Sequence, residues 1–98
     1  EQVRLLTVSE KSEDYGRRVE QELRAAGLRC AADYRPEKLG AKIRQARLLR
    51  IPAMAIIGDK EIEGRTVSLR TRADGEVGET ALEDFIERMV QAGKEPSV

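Results

Sequence analysis

The chain has 98 residues, which is enough for one small domain but too few for that domain and a large catalytic site. Eighteen lysines and arginines balance 18 aspartates and glutamates, so net charge gives no general attraction to nucleic acid. The absence of histidine removes the commonest general base and metal ligand, and a single cysteine excludes an internal disulfide.

Three features of the sequence indicate the cellular compartment of the protein and its relation to a longer chain. No segment approaches the roughly 20 apolar residues of a membrane span, so we expect no membrane partner. Cys30 lies in an alternating apolar stretch, where we expect it to pack as a small hydrophobic side chain in a reducing compartment, the cytoplasm. The chain begins with Glu1 rather than methionine, which favours a piece of a longer protein.

The first half of the chain predicts two β-α units. An apolar run over residues 3–8 indicates a buried strand, and Ser12 is predicted to cap a helix that ends near Gly27. Alternating apolar residues over 28–34 predict a second strand. Pro36 is predicted to open the second helix, because the first helical position needs no amide hydrogen.

The second half predicts a central strand followed by a hairpin. Pro52 is predicted to end the second helix, and the continuous apolar run over 53–57 indicates a strand covered on both faces. The alternating stretch 66–70 predicts a half-buried strand. A tight turn at 74–75 then leads to a short partner strand near 76–78.

The last predicted element is a helix, which Thr80 and Glu83 would open as a capping box. The order β-α-β-α-β, β-β, α predicts an α/β fold of three layers, α/β/α. Its mixed five-stranded sheet would have three parallel strands and an antiparallel edge hairpin. We expect a single domain over 1–98, with an ordered core at about 3–92 and a tail at 93–98.

Cations surround the second predicted helix. Arg35 precedes it, Lys38 and Lys42 lie on one flank of its apolar stripe, and Arg44 and Arg47 lie on the other side. Cations near the carboxyl end of a parallel strand are well placed for phosphates. An ordinary solvated helix surface with ion pairs explains the same pattern.

A second polar group lies in the segment 58–72. Glu61 is predicted in the loop after the buried strand, and Arg70 projects from the polar face of the next strand, with Arg72 beyond it. Arginine can pair with O6 and N7 of guanine, and a carboxylate can accept from base amino groups, whose edges are readable in single-stranded RNA. A surface pair between Glu61 and Arg70, worth little energy, is the alternative.

Other functional signatures are weak or missing. Tyr34, next to Arg35, is the one aromatic residue considered for base contact, with core filling as the alternative. The sequence has no glycine-rich phosphate loop, nucleophile elbow or metal-ligand spacing. We therefore expect no catalysis within these residues.

Four stretches together carry a family resemblance: 36–46 (PEKLGAKIRQA), 51–52 (IP), 57–61 (IGDKE) and 67–72 (VSLRTR). In combination they resemble the C-terminal anticodon-binding domain of class II threonyl-tRNA synthetases, and the resemblance extends over about 3–90. Related domains occur in the prolyl, glycyl and histidyl enzymes. The resemblance implies the fold of that anticodon-binding domain and contact with the guanine and uracil of the threonine anticodon.

Individual residues follow from this resemblance. Glu61 and Arg70 match the family residues that contact anticodon bases. The family's asparagine just before Glu-Lys, another base contact, is replaced here by Pro36, which has no side-chain donor. Three explanations remain open: a neighbour such as Arg35 or Lys38 substitutes, the base is read less strictly, or the protein is a diverged synthetase-like paralogue.

The complete set of predicted RNA-binding residues comprises Arg35, Pro36, Lys38, Lys42, Glu61, Arg70 and Arg72. The implied partners are the anticodon stem-loop of tRNA(Thr) and the remainder of a synthetase chain. The domain itself needs no cofactor, since ATP, Mg and Zn would belong to the catalytic body of the parent, a homodimeric threonine–tRNA ligase. This fragment is then non-catalytic and monomeric.

Two other functions are compatible with the residues. A synthetase-like paralogue would use the same fold as a regulatory or protein-interaction module. A small-molecule-binding α/β domain would use the crevice at the strand ends, although no glycine-rich fingerprint supports it.

Overall fold

The structure, a computed structural model, describes residues 2–94. Its strands are β1 Val3–Thr7, β2 Cys30–Asp33, β3 Ala53–Ile57, β4 Thr66–Thr71 and β5 Gly75–Ala81. Its α-helices are α1 Glu13–Ala25, α2 Leu39–Leu48, α3 Asp59–Gly64 and α4 Leu82–Lys94, and a 3-10 turn over Glu10–Ser12 precedes α1. No helix in this described part is both long and apolar enough to cross a membrane.

All five strands belong to one sheet in the order β2-β1-β3-β4-β5. β1 pairs in parallel with β2 and with β3, because helical crossovers join these strands. β4 pairs antiparallel with β3 and with β5, so the last two strands form a hairpin at one edge. The predicted mixed sheet is confirmed.

Two hydrophobic cores cover the two faces of the sheet. Alternation along β1 sends Leu5 to one core and Leu6 to the other, and both side chains are fully buried. The first core, under α1 and α4, includes Val3, Leu5, Val19, Leu23, Ala55, Leu69 and Phe85. The second, under α2, consists of Leu6, Ala46, Ile51, Met54 and Ile56, with Leu39 and Ile43 packed against it. The predicted three layers are therefore present.

The face under α2 is only partly covered. The second core takes residues from β1 and β3 but none from β4. On β4, Ser68 and Arg70 pair with Ile56 and Met54 of β3, so they lie on this same face, and both are half-exposed. The β4–β5 register shifts between Leu69 and Arg70, which leaves one extra residue in β5. Ser68 and Arg70 thus form an open strip, a polar part of the sheet beside α2 that is accessible to solvent.

Several predicted helix starts are wrong in detail. Ser12 does precede α1, but its hydroxyl makes no capping bond and is buried without a hydrogen-bond partner among the described residues. Pro36 does not open α2, since residues 35–37 form bends and Lys38, with extended backbone, precedes the helix. Thr80 belongs to β5 and its hydroxyl donates to the carbonyl of Gly78, so it caps no helix.

The short helix α3 was not predicted. Glu61 therefore lies in the first turn of a helix rather than in a loop. Six residues with Ile62 as their one apolar side chain offer no periodic pattern to detect. At the other end of the chain, α4 continues to Lys94, so residues 93–94 of the predicted tail are helical, and residues 95–98 lie outside the described part.

Two helical glycines give a test of the packing. A Cβ on Gly16 would lie 3.0 Å from Cε1 of Tyr34 and 3.3 Å from Cγ2 of Thr7, whereas a Cβ on Gly40 would meet nothing within 4 Å. The Tyr34 ring is held, because its hydroxyl donates to Glu20 at 2.9 Å. We expect Gly16→Ala to lower the free energy of unfolding by about 1 kcal/mol, since overpacking outweighs the gain in helix propensity.

The matched change Gly40→Ala should raise the free energy of unfolding by about 0.5 kcal/mol, because alanine restricts the unfolded chain and fits the folded one. Urea unfolding followed by circular dichroism measures both values. Equal effects of the two substitutions would contradict the close packing of Gly16 against Tyr34.

Candidate nucleic-acid interface

Arg35, Pro36 and Lys38 lie in the exposed connection between β2 and α2, at the carboxyl end of β2. Arg35 is fastened to the protein: its Nε and Nη2 donate to the two carboxylate oxygens of Asp33 at 2.9 and 2.8 Å. Its guanidinium also donates to Oε1 of Gln45. Arg35 is thus well positioned, but part of its charge is neutralised by the protein.

Asp33 is the buried partner in this pair, with only 7% of its surface exposed. The hydrogen bonds from the Arg35 side chain hold the pKa of Asp33 below its usual value, although burial acts in the opposite direction. The same pairing raises the pKa of Arg35. The first residues after β2 are therefore fixed by an ion pair that exists only while Asp33 is ionised.

Lys42 does not lie on the surface. It is 2% exposed, and its Nζ donates to the carbonyls of Thr7 and Asp33 at 2.8 and 3.1 Å and contacts Oγ1 of Thr7 at 3.3 Å. Burial lowers the pKa of Lys42, while Asp33 acts to raise it. The predicted phosphate contact of Lys42 is therefore wrong, because its side chain points from α2 into the protein. There it links the helix to the ends of β1 and β2.

Tyr34 is half-buried on the α1 side of the loop. Its hydroxyl donates to Oε1 of Glu20 at 2.9 Å, and the guanidinium carbon of Arg17 lies 4.7 Å from the ring centroid. Burial and the bond to Glu20 raise the pKa of Tyr34. These contacts favour the packing role over base contact.

Glu61 lies at the carboxyl end of β3, in the first turn of α3. Its Oε1 accepts a hydrogen bond of 2.8 Å from the amide of Gly58, the residue before the helix. This bond ties the Glu61 side chain to the start of the helix. The second carboxylate oxygen has no hydrogen-bond partner in the described chain and is available to an incoming donor.

Arg70 lies on the open strip of β4 beside α2, between Met54 of β3 and Glu76 of β5. Its side chain is 29% exposed, and its Nη2 is 3.9 Å from Oε2 of Glu76, too far for a strong hydrogen bond. Its Nε is buried and has no hydrogen-bond partner among residues 2–94. Arg70 therefore has donors that the fold itself does not fully use.

Glu61 and Arg70 lie at two separate places on the sheet. Arg70 is opposite Met54 near the start of β3, whereas Glu61 is bonded to Gly58 just after its end. Four residues of strand separate these points, or about 13 Å. The alternative of a Glu61–Arg70 surface pair is therefore wrong, and the loose partner of Arg70 is Glu76.

Arg72 follows β4 and is exposed, and its amide donates to the carbonyl of Pro52 at 3.0 Å. Together with Arg70 it lines a cleft of about 260 Å³ whose other wall includes Arg47 of α2. Arg47 is one of the cations of the second predicted helix but does not belong to the predicted set of RNA-binding residues. Among the described residues, no group of three or more acidic, cysteine or histidine side chains is placed to hold a metal.

The structure defines a small open α/β domain whose uncovered strip of sheet carries polar and cationic side chains. A sequence profile of the anticodon binding domain family matches residues 2–92. The chain belongs to that family.

Known proteins similar to the chain agree with this assignment. It is 50% identical over 93 residues to the threonine–tRNA ligase of Acetivibrio thermocellus, a match that covers 95% of this chain and 15% of that protein. The ligase of Syntrophomonas wolfei is 45% identical over 94 residues, covering 96% and 15%. The chain thus spans about 15% of the length of these curated relatives.

Solved structures show the same fold. The RNA binding domain of threonyl-tRNA synthetase from Cryptosporidium parvum superposes with a TM-score of 0.84 at 32% identity, covering 92% of this chain and 23% of that one. Histidyl-tRNA synthetase from a Nostoc species gives a TM-score of 0.86 at 28% identity, covering 95% and 22%. The predicted class II anticodon-binding-domain fold and the resemblance to the threonyl branch are confirmed.

Asp33 gives a pH-dependent test of the loop. Its folded pKa is lowered, so its stabilising contribution is complete above the unfolded pKa, near 3.8, and is lost as pH falls through the folded pKa. We expect Asp33→Asn to lower the free energy of unfolding at pH 7 by about 1–2 kcal/mol, because the charged hydrogen bonds to Arg35 are removed. The variant should also lose less stability than the wild type on acidification from pH 5 to pH 3.

Urea unfolding at the two pH values measures this difference. Asp74→Asn is the matched control, because Asp74 pairs with Arg88 at 2.7 Å but is 58% exposed, and exposed pairs contribute little. An unchanged acid dependence in Asp33→Asn would contradict a stabilising ion pair at the start of the loop.

Proposed function

We propose that this chain binds the anticodon loop of tRNA(Thr), as the anticodon-binding domain of a threonine–tRNA ligase. The observation that carries the proposal is the match of residues 2–92 to the anticodon binding domain family, with identity of up to 50% to threonine–tRNA ligases. The open strip beside α2 supports it, because this surface offers donors and acceptors suited to base edges.

In this proposal Arg70 and Glu61 contact different nucleotides. Arg70 donates to O6 and N7 of a guanine, replacing its long contact of 3.9 Å with Glu76. Glu61 uses its second carboxylate oxygen to accept from a base amino or imino group, while the bond from Gly58 keeps the carboxylate in place. The separation of about 13 Å between their strand positions suits an unstacked loop whose bases are spread apart.

Lys38 is the neighbour that best replaces the side chain missing at Pro36. Arg35 is already bonded to Asp33 and Gln45, which limits its freedom. Lys38 is exposed, has no ion pair within the described chain and stands immediately before α2. Its ammonium can reach a phosphate or a base oxygen from this place, and Pro36 restricts the loop that carries it.

The remaining parts of the proposal concern the parent protein. A single domain over 1–98 would position tRNA(Thr) for aminoacylation at a catalytic body that holds ATP, Mg and Zn, within a cytoplasmic homodimer. The domain itself would be monomeric when separated and would need no cofactor. Pro36 and the balanced charge favour the alternative, a synthetase-like paralogue acting as a regulatory or protein-interaction module, and the identity to threonine–tRNA ligases outweighs them.

Arg70→Ala tests the base contact. We expect binding of the threonine anticodon stem-loop to weaken by about 1–3 kcal/mol, or roughly five- to 150-fold, because a bidentate contact to guanine is lost. The preference for that guanine over adenine at the same position should disappear as well. Fluorescence anisotropy of labelled stem-loops at low salt measures both effects.

Arg18→Ala is the matched control, since Arg18 is an exposed arginine of α1, on the face of the sheet opposite α2, and the same charge is removed. We expect less than a twofold change from it. Equal binding by wild type and Arg70→Ala would refute the role of Arg70. Failure of the wild type to distinguish the threonine anticodon loop from an unrelated loop would refute the proposed function.

A further inference from the structure

The cleft between α2 and the end of β4 has a mixed lining. Its floor is apolar, formed by Ile51 and Met54, which are 6% and 5% exposed. Its rim carries the cations, with Arg47 from α2 on one side and, on the other, Arg70 from β4 and Arg72 from the turn that follows it. An apolar floor below a cationic rim suits a nucleotide, which has a flat apolar base face and an anionic phosphate.

The charge of this cleft is not balanced by the protein. Three arginines line it, and the one lining acidic residue, Glu76, is 68% exposed and lies 3.9 Å from Arg70. Arg47 and Arg72 take part in no ion pair among residues 2–94. Like charges held around one cleft repel one another, and an anion placed between them removes that repulsion.

The helix dipole explains why a cation lies in the last turn of α2, but it does not explain on which side of the helix Arg47 lies. A cation in the last turn of a helix is stabilised by the helix dipole, and Arg47 is such a cation. A solvent-exposed cation on any other side of the last turn would interact with the helix dipole equally well. The dipole does not account for the placement of Arg47 on the wall opposite Arg70, over an apolar floor.

We propose that Arg47 binds the phosphate of the nucleotide whose base Arg70 contacts, so that α2 and β4 hold one nucleotide between them. This inference rests on the proposed function, because it assumes that RNA occupies the open strip. Arg47 reaches the cleft from a helix whose start is fixed by Lys42, and Arg70 reaches it from the paired strand β4. Both side chains are therefore carried by rigid elements.

The salt dependence of binding tests this inference. We expect Arg47→Ala to weaken binding of the threonine anticodon stem-loop about five- to tenfold, and to reduce the slope of log K against log salt by about 0.7. The loss should be the same for the cognate loop and for a loop with adenine in place of the guanine, because a phosphate carries no sequence information. Arg47→Lys should keep most of the affinity.

Arg44→Ala is the matched control, since Arg44 is an exposed arginine of the same helix that does not line the cleft. We expect less than a twofold change. Stem-loops with one neutral methylphosphonate at successive positions identify the phosphate: at one position the substitution should weaken binding to the wild type but not to Arg47→Ala.

The outcomes distinguish a failure of the phosphate role of Arg47 from a failure of the proposed function. If Arg47→Ala behaves as Arg44→Ala while Arg70→Ala still abolishes the guanine preference, Arg47 has no phosphate role and the proposed function stands. A loss of guanine preference in Arg47→Ala would overturn the phosphate role in favour of a base contact. If the wild type shows no anticodon preference, both proposals fail.

Discussion

The ammonium of Lys42 lies where the ends of β1 and β2 meet the first turns of α2, and it donates to two strand-end carbonyls. Removing an ammonium from water costs several kcal/mol unless its donors are satisfied, and here Thr7 and Asp33 provide the acceptors. This contact fixes both the loop that carries Arg35 and the helix that carries Arg47. The candidate interface on both sides of α2 therefore depends on one buried lysine.

Much of the fold was predictable because local patterns and global packing agree. The run Ala53–Ile57 is apolar at every position, and it is the central strand buried on both faces. The β-α-β-α-β order requires parallel pairing, and the structure has it. The predictions failed where the sequence pattern is weak. Helix α3 was missed because it has too few apolar residues, and the start of α2 was misplaced because it depends on bends after Asp33 that residue propensities do not predict.

Less of the candidate site than of the fold could be predicted from the sequence. The residue pattern singled out Glu61 and Arg70, but their role as base contacts came from the family resemblance, since residue types alone do not distinguish an RNA surface from an ordinary one. The interior position of Lys42 and the shared cleft of Arg47 and Arg70 required three-dimensional structure. The spacing of charged residues along a helix shows on which side of that helix each one lies. It does not show which strand of the sheet lies next to that side.

The edge strand β5 has a consequence for the orientation of any anionic chain near the sheet. Glu76 and Glu79 face the open strip from β5, opposite Arg70 and Ser68, whereas Arg47 stands on the α2 side. The strip thus carries a lateral gradient of electrostatic potential, negative along the outer edge and positive along the helix. In the proposed complex this gradient orients the RNA during its approach, so that the phosphate backbone lies towards α2 and away from the carboxylates of β5.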